Sequence, residues 1–185
     1  MDTSTWVVIG IAGAVVLWLI ATYNRLVSLR NQAQNAWAQI DVQLKRRHDL
    51  VPNLVEVVKD AMGYEQETLK QVVEARNAAV NAKGPAEIGA AEGALTAATT
   101  KLFALMENYP QLKANDNVMQ LQEELTTTEN KISFARQFYN DSIMGANNMV
   151  QSFPANLIAG TFGFTTMAHL DIPDAERAVP KVSLR

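Results

Sequence analysis

Histidine and carboxylate side chains are the groups in this chain best suited to catalysis or metal binding, and they are sparse. His48 and His169 are the only histidines, and neither lies in a His-Glu-x-x-His motif or another spacing typical of zinc and non-haem iron ligands. Helical proteins can also build metal sites from carboxylates, for which the clustered candidates are Glu65, Glu67, Glu123 and Glu124. We interpret these four as solvated helix ends.

Nucleophilic and cofactor-binding motifs are missing from the sequence. The chain contains no cysteine, and no serine or threonine lies in a G-x-S-x-G or P-loop pattern. A net charge of −3 and a pI near 5.4 provide no basic excess for binding a nucleic-acid backbone. We therefore expect no catalytic residue, no metal, no cofactor and no nucleic-acid partner.

Arginines on apolar helix stripes are the charged residues that most need an explanation. Lys45, Arg46 and Arg47 form a dense basic cluster, and Arg47 falls on a stripe, so it either holds an acidic lipid or partner, or pairs with an acid across neighbouring helices. Arg47 lies roughly 36 Å along a straight helix from Tyr23, beyond the reach of a lipid surface potential, which favours the ion pair. We call four arginines on or beside such stripes the seam arginines: Arg30, Arg47, Arg76 and Arg136.

The N-terminal residues predict a membrane anchor. Every residue from Trp6 to Ala21 is apolar or glycine. A helix from Trp6 to Tyr23 would be roughly 25 Å long, close to the thickness of a bilayer core. Trp6 at one end, and Trp18 with Tyr23 at the other, match the placement of aromatic residues at the two membrane interfaces.

A buried core helix and a cleavable signal peptide are the alternatives to an anchor. The run has no polar face, and a signal peptide would begin with basic residues and end with small ones. Asp2 is the only charged residue before the run, and bulky residues occupy positions 18–20. Because Arg25 and Arg30 follow the run, we expect the N-terminus outside the cell and the rest in the bacterial cytoplasm, with the anchor in the inner membrane.

Beyond the anchor, apolar residues recur at alternating steps of four and three, a pattern typical of packed helices. The first stripe runs from Leu26 to Val58 and should form one rod with the anchor, kinked or restarted at Pro52. Three more stripes cover 69–80, 88–105 and 118–149, and Asn115 or Asp116 can cap the last helix. The third stripe consists of Ile88, Ala91, Leu95, Ala98, Leu102 and Leu105.

These stripes predict an all-α protein, in which an N-terminal transmembrane helix continues into an antiparallel, up-and-down four-helix bundle with long first and fourth helices. The expected divisions are a membrane anchor over 1–23, the four-helix bundle over 24–152, an apolar membrane-proximal segment over 153–170 and an extended tail over 171–185.

The apolar segment should lie near the membrane, because four alternating helices return the chain toward the anchor. Its large apolar residues are Phe153, Leu157, Ile158, Phe162 and Phe164. They could close the base of the bundle, rest in the membrane interface or pack on a neighbouring subunit. Gly10 and Ala14, four residues apart in the anchor, would let another helix approach closely. We expect the two surfaces to support a homo-oligomer.

Several blocks of the sequence resemble, in order, the LemA family of bacterial membrane-anchored helical-bundle proteins. The blocks are YNRLV at 23–27, IDVQLKRRHDLVPNLV at 40–55, YPQLKA at 109–114, ENKISFARQFYN at 129–140, FPAN at 153–156 and GF at 163–164. Ala146-Asn147 stands where the family often has a second Tyr-Asn pair. The resemblance implies a four-helix bundle on one anchor, no accepted catalytic activity, and links to envelope stress, membrane metalloproteases and magnetosome membranes.

The function expected from the residues and the resemblance is that of a non-catalytic scaffold or adaptor. Such a protein would self-associate at the bacterial membrane and present its bundle to partners. The expected partners are the lipid bilayer, further copies of the chain and a membrane protein such as a protease. Two alternatives stay open: a regulator of a membrane protease in envelope stress, and a carboxylate-metal enzyme.

Overall fold

The structure is a computed structural model that describes residues 2–171. Within this range the chain is all-helical, with no strand, which confirms the predicted class. The helices are α1 (Thr3–Lys59), α2 (Gln66–Asn81), α3 (Gly84–Met106), α4 (Pro110–Lys113), α5 (Asp116–Gln151) and α6 (Ala155–Thr161). The two short helices, α4 and α6, were not predicted. The tail predicted over 171–185 lies, except for Asp171, outside the described residues.

Helix α1 is one continuous helix of 57 residues. It joins the apolar run at the N-terminus to the first stripe in one continuous helix, as predicted. Pro52 lies inside the helix and does not end it, since the helix continues to Lys59.

Local sequence signals explain the ends of the other helices. Gly84 adopts a positive φ of 76°, a conformation that glycine tolerates, and Pro85 occupies the first turn of α3, where a missing N–H costs nothing. The Asn115 side chain accepts hydrogen bonds from the backbone N–H groups of Asn117 (3.0 Å) and Val118 (3.4 Å). Asn115 is therefore the cap of α5, one of the two residues predicted for this role.

The chain divides into two compact units. Of the described residues, the first unit comprises 2–39 and 135–168, and the second comprises 40–134 and 169–171. The second unit has the larger core, to which five helices contribute. Its buried residues are Leu50, Val51, Leu54, Val58, Met62, Leu69, Val72, Ala79, Leu95, Leu102, Met106, Leu112, Val118 and Leu125.

The first unit is built from one part of α1, the end of α5, α6 and the segment that follows α6. Leu26 packs with Ile158 and Ala159 in its core. Two side chains of α5 fasten the segment after α6. The Tyr139 hydroxyl donates to the carbonyl of Ala168 (3.0 Å), and the Asn147 amide both donates to and accepts from the backbone of Met167 (2.9 and 2.8 Å).

The predicted stripe of α3 is corrected by the structure. Ile88, Ala91, Ala98 and Leu105 are only half-buried, whereas the buried residues of this helix are Gly89, Glu92, Leu95, Thr99, Leu102 and Met106. The buried face is thus rotated by about one residue at several turns. Helix α3 carries alanines on several of its own faces, so the hydrophobic pattern of its sequence did not distinguish the buried face from its neighbour. In α2, Val80 is exposed and Ala79 is buried in its place.

Candidate functional site

The N-terminal part of α1 is an exposed apolar surface within the first unit. Residues 2–21 are all exposed, and α1 is the one helix in the described range 2–171 that is long and apolar enough to cross a membrane. The predicted span residues Trp6, Gly10, Ala14, Trp18 and Tyr23 all lie on this exposed helix. Since such a surface is costly in water, α1 carries a candidate membrane anchor.

An aromatic cluster lies at the end of the apolar run in the first unit. The Tyr23 ring packs edge-on against Phe162 (centroids 4.9 Å apart) and Phe164 (5.8 Å). The Arg30 guanidinium lies 5.1 Å from the centroid of the Phe164 ring, a cation–π contact. The Arg30 residue is also exposed to solvent, so it is not buried between helices. It helps to fix the segment after α6 beside α1.

The predicted self-association residues divide into two groups. Ile158 is buried against Leu26, and Phe164 is half-buried in the aromatic cluster, so both residues pack within their own unit. Ile158 and Phe164 are therefore not free to support a homo-oligomer, as was expected of all five residues. Phe153, Leu157 and Phe162 are 79%, 63% and 61% exposed. We refer to these three exposed apolar residues together as the α6 patch.

The second unit contains a buried ionic cluster centred on Arg47. The side chains of Arg47 and Glu92 are each only 4% exposed, and Arg47 Nη1 lies 3.1 Å from Glu92 Oε2. The other carboxylate oxygen, Oε1, lies 2.6 Å from His48 Nε2. Arg47 Nη2 donates to the Thr96 hydroxyl (2.8 Å), which donates to Glu129 Oε1 (3.0 Å). Arg47 thus pairs with an acid of another helix, as the ion-pair interpretation predicted.

A buried ionic cluster can specify how helices align without adding much stability. Burying two charges costs nearly as much as their attraction gives back, but removing one partner leaves an unpaired buried charge, at a cost of about 3 to 5 kcal/mol. Arg47, Glu92 and Glu129 lie on α1, α3 and α5. A sliding of any one of these helices by one turn would break the cluster.

Arg76 has a different partner from Arg47. Its Nε donates to the backbone carbonyl of His48 at 3.1 Å. In a regular helix that carbonyl would accept from the residue four positions later, but this residue is Pro52, which has no N–H. Arg76, on α2, therefore supplies the donor that Pro52 removes from α1.

The remaining predicted residues are not gathered into one site. Arg46 forms an exposed ion pair with Glu124 (3.3 Å), and Arg136 is half-buried on α5. Glu65 and Glu67 lie at the start of α2, and Glu123 is exposed. Among residues 2–171, no group of three or more His, Asp or Glu side chains could hold a metal ion.

Sequence reasoning missed Glu92, Thr96 and Asn147. Glu92 lay off the predicted stripe of α3, so no local pattern indicated that it is buried. The one indication in the sequence was that Arg47, on an apolar stripe, required an acidic partner. Asn147 was noted as the second half of an altered Tyr-Asn pair, yet its double hydrogen bond to Met167 depends on how the segment after α6 folds back. No pattern in the sequence predicts that path.

Comparison with known proteins agrees with these features. The family model described as LemA family matches residues 36–184. Protein LemA of Metamycoplasma hominis is 25% identical over 158 residues, covering 83% of this chain and 71% of that protein. Magnetosome protein MamQ of Magnetospirillum gryphiswaldense and Magnetosome protein MamQ 2 of Paramagnetospirillum magneticum are each 23% identical over 177 residues, covering 82% of this chain. The match spans 65% of the length of these two magnetosome proteins. Because the family match covers most of the sequence, the chain belongs to the LemA family.

Proposed function

We propose that this protein is a non-catalytic, membrane-anchored helical scaffold that self-associates at the bacterial inner membrane and presents its second unit to partners. The observation that carries the proposal is α1, a single helix from Thr3 to Lys59. Its first part is an exposed apolar surface, and its last part lies in the core of the second unit. One element thus links a surface suited to lipid with a folded body.

The proposed arrangement of the second unit is an antiparallel, up-and-down set of four helices. Parts of α1 and α5 together with α2 and α3 supply most of its core. The turns are short: four residues or fewer separate α3, α4 and α5, and two separate α2 from α3. Short connections favour antiparallel neighbours. The Arg47 cluster would hold these helices in register.

A binding role fits the side chains better than a catalytic role. The buried charges of the second unit are paired within the chain, and the described residues 2–171 offer no group that could hold a metal. The names of the relatives, Protein LemA and Magnetosome protein MamQ, mention no enzymatic activity. A membrane protein, such as a protease, is the class of partner that a scaffold anchored in this way would meet.

Self-association is supported by the α6 patch. Three large apolar side chains that are more than half exposed are unfavourable in water, and contact with lipid or another protein would bury them. The patch lies in the same unit as Tyr23, where the apolar run ends, and Phe162 contacts Tyr23 directly. A second anchored copy would meet the patch at the same height above the membrane.

The test is the mass of the full chain in lipid nanodiscs, measured by mass photometry or native mass spectrometry. We expect a multiple of the 20.3 kDa chain mass. A triple variant, Phe153→Ser, Leu157→Ser and Phe162→Ser, should shift the distribution toward monomers. Tyr64→Ser is the matched control, because Tyr64 is 99% exposed in the second unit and its loss should change nothing. Monomers alone in the unaltered protein would refute the self-association.

A further inference from the structure

One side of α1 in the first unit carries only uncharged polar residues. Asn24, Ser28, Asn31 and Asn35 recur at steps of four, three and four, so they share one face of the helix. We call these four residues the amide face. All four are exposed, whereas the opposite side of the same helix is buried through Leu26, Ala33 and Ala36.

The amide face borders a shallow groove of about 590 Å³. Gln32, Gln39 and the ring of Phe138 complete the lining, together with the neighbouring Val27. Phe138 is 45% exposed. From Asn31 to Ile40 the helix carries no charged residue, which is unusual for a solvent-facing helix and typical of the centre of a protein interface, where charges are depleted.

Side-chain amides make this face complementary to itself. Each Asn or Gln carries both a donor and an acceptor, so a second copy of the same face offers matching partners without repulsion between like charges. Two-fold assemblies need such a self-complementary surface. In parallel helical pairs, asparagines at inward-facing positions also fix register and the number of strands.

We propose that the amide face binds the amide face of a second copy, so that two α1 helices lie side by side in parallel. This inference rests on the proposed function, because anchoring in one membrane with one orientation makes copies parallel and raises their effective concentration. The same steps of four and three continue back through Ala21, Leu17, Ala14 and Gly10, which are mostly small and lie on the same side. The contact therefore has room to continue into the anchor.

The energies assign different roles to the parts of this interface. A net hydrogen bond in water contributes about 0.5 to 1.5 kcal/mol, so a few amide pairs do not assemble two chains by themselves. Confinement in the membrane, burial of Phe138 and the α6 patch supply the free energy that brings the two chains together. The amides decide which side of α1 is used and in which register.

Disulfide crosslinking tests the position of the contact, since the natural chain has no cysteine. Asn31→Cys and Asn35→Cys are made singly in the full chain and oxidised in nanodiscs. Gln34→Cys is the matched control, an exposed amide about 100° around the helix from Asn35 and about 60° from Asn31, toward the edge of the proposed contact. In a parallel pair, equal residues face each other, so we expect several-fold faster dimer formation at positions 31 and 35 than at position 34.

Charge substitution gives a second readout that does not depend on cysteine geometry. Asn31→Asp with Asn35→Asp, and Asn31→Lys with Asn35→Lys, should each weaken self-association, because like charges then face each other. Mixing the two variants should restore pairing as a heterodimer. The control pair, Gln34→Asp and Gln34→Lys, should show neither loss nor preference.

The outcomes separate this inference from the proposed function. Oligomers that crosslink equally at all three positions, or that ignore the charge substitutions, would overturn the amide-face contact and leave self-association intact. An unaltered chain that is only monomeric would overturn both.

Discussion

Pro52 and Arg76 form a pair that no local rule connects. Proline inside a helix usually costs about 3 kcal/mol or more, partly through the lost hydrogen bond. Helix α1 nevertheless continues past Pro52, and Arg76 donates to the carbonyl of His48 that Pro52 leaves without a helical donor. The sequence places Arg76 beside a stripe and predicts disturbance at Pro52. It does not connect the two, because they lie on different helices.

This pairing makes a prediction about coupling. Arg76→Ala should lower the unfolding free energy by about 1 to 3 kcal/mol, because it leaves the His48 carbonyl without its donor. In a Pro52→Ala background the new backbone N–H can donate to that carbonyl, so the same Arg76→Ala change should cost less. Urea unfolding of the four proteins in mild detergent measures the difference. Additive effects within about 0.3 kcal/mol would contradict the assignment.

Tyr139 gives a prediction for alkaline pH. Burial raises the pKa of Tyr139 above its ordinary value of 10.0. Between that value and the raised pKa, the unfolded chain has released the tyrosine proton while the folded chain keeps it. The tyrosine contribution to stability is therefore complete below pH 10 and is lost as the pH rises through the folded pKa.

The matching variant is Tyr139→Phe, which keeps the ring and loses the hydrogen bond to Ala168. At neutral pH we expect a loss of about 0.5 to 1.5 kcal/mol. Above pH 10, unfolding free energies of the natural protein should fall more steeply than those of the variant. Equal slopes would show that Tyr139 ionises equally easily in both states.

At the scale of single residues, the sequence shows that a buried charge requires a partner more readily than it shows which residue the partner is. Arg47 on an apolar stripe must find an acid, and it does. The identity of that acid depends on the rotation of α3, which brings Glu92 inward. Glu92 had no local mark of burial, because a charged residue in a helix is normally solvated.

At the scale of elements, long periodic helices were predictable and short ones were not. The steps of four and three located α1, α2, α3 and α5. Helices α4 and α6 have four and seven residues, too few for a period to appear, and they form because the surrounding chain packs on them. The face of α3 was predicted only in part: Leu95 and Leu102 are buried as expected, but alanine and glycine are nearly neutral in the hydrophobic pattern and did not mark Gly89 or Glu92 as buried.

Gly89 on α3 tests how closely another segment approaches this helix. A Cβ atom at Gly89 would clash with the carbonyl oxygen of Asp171, and Leu170 is buried in the same unit. Gly89→Ala should therefore displace residues 170–171 or cost about 1 to 3 kcal/mol. Faster amide hydrogen exchange at Leu170 would report the displacement.

Gly160→Ala is the control for this experiment. Nothing lies within 4 Å of a Cβ at Gly160, and alanine favours a helix over glycine by about 1 kcal/mol. The control should leave exchange at Leu170 unchanged and hold or raise stability. If Gly89→Ala behaves like the control, Asp171 does not pack closely against Gly89.

At the scale of the whole molecule, the orientation in the membrane is a prediction from charge. Arg25 and Arg30 follow the apolar run, and no basic residue precedes it. In sealed cells, an impermeant thiol reagent should label Asp2→Cys and should not label Lys83→Cys. Lys83 is exposed and has an ordinary backbone conformation, unlike Gly84 with its φ of 76°. Labelling of Lys83→Cys in sealed cells would reverse the orientation.

The sequence indicates the anchor directly, because an uninterrupted apolar run needs no tertiary information. Self-association is harder to predict, because it depends on which apolar side chains stay exposed after folding. Ile158 and Phe164 belonged to the same run as Phe153 and Phe162, and only the structure separates the buried residues from the exposed ones.

Counting subunits in living bacteria tests the central claim most directly. The full chain, fused at its C-terminus to a fluorescent protein and expressed at low level as the only copy, is followed by single-molecule photobleaching. A self-associating membrane scaffold predicts spots confined to the cell envelope that bleach in two or more steps, and fewer steps for the triple variant of the α6 patch. Diffuse cytoplasmic signal, or envelope spots that bleach in single steps, would contradict the account.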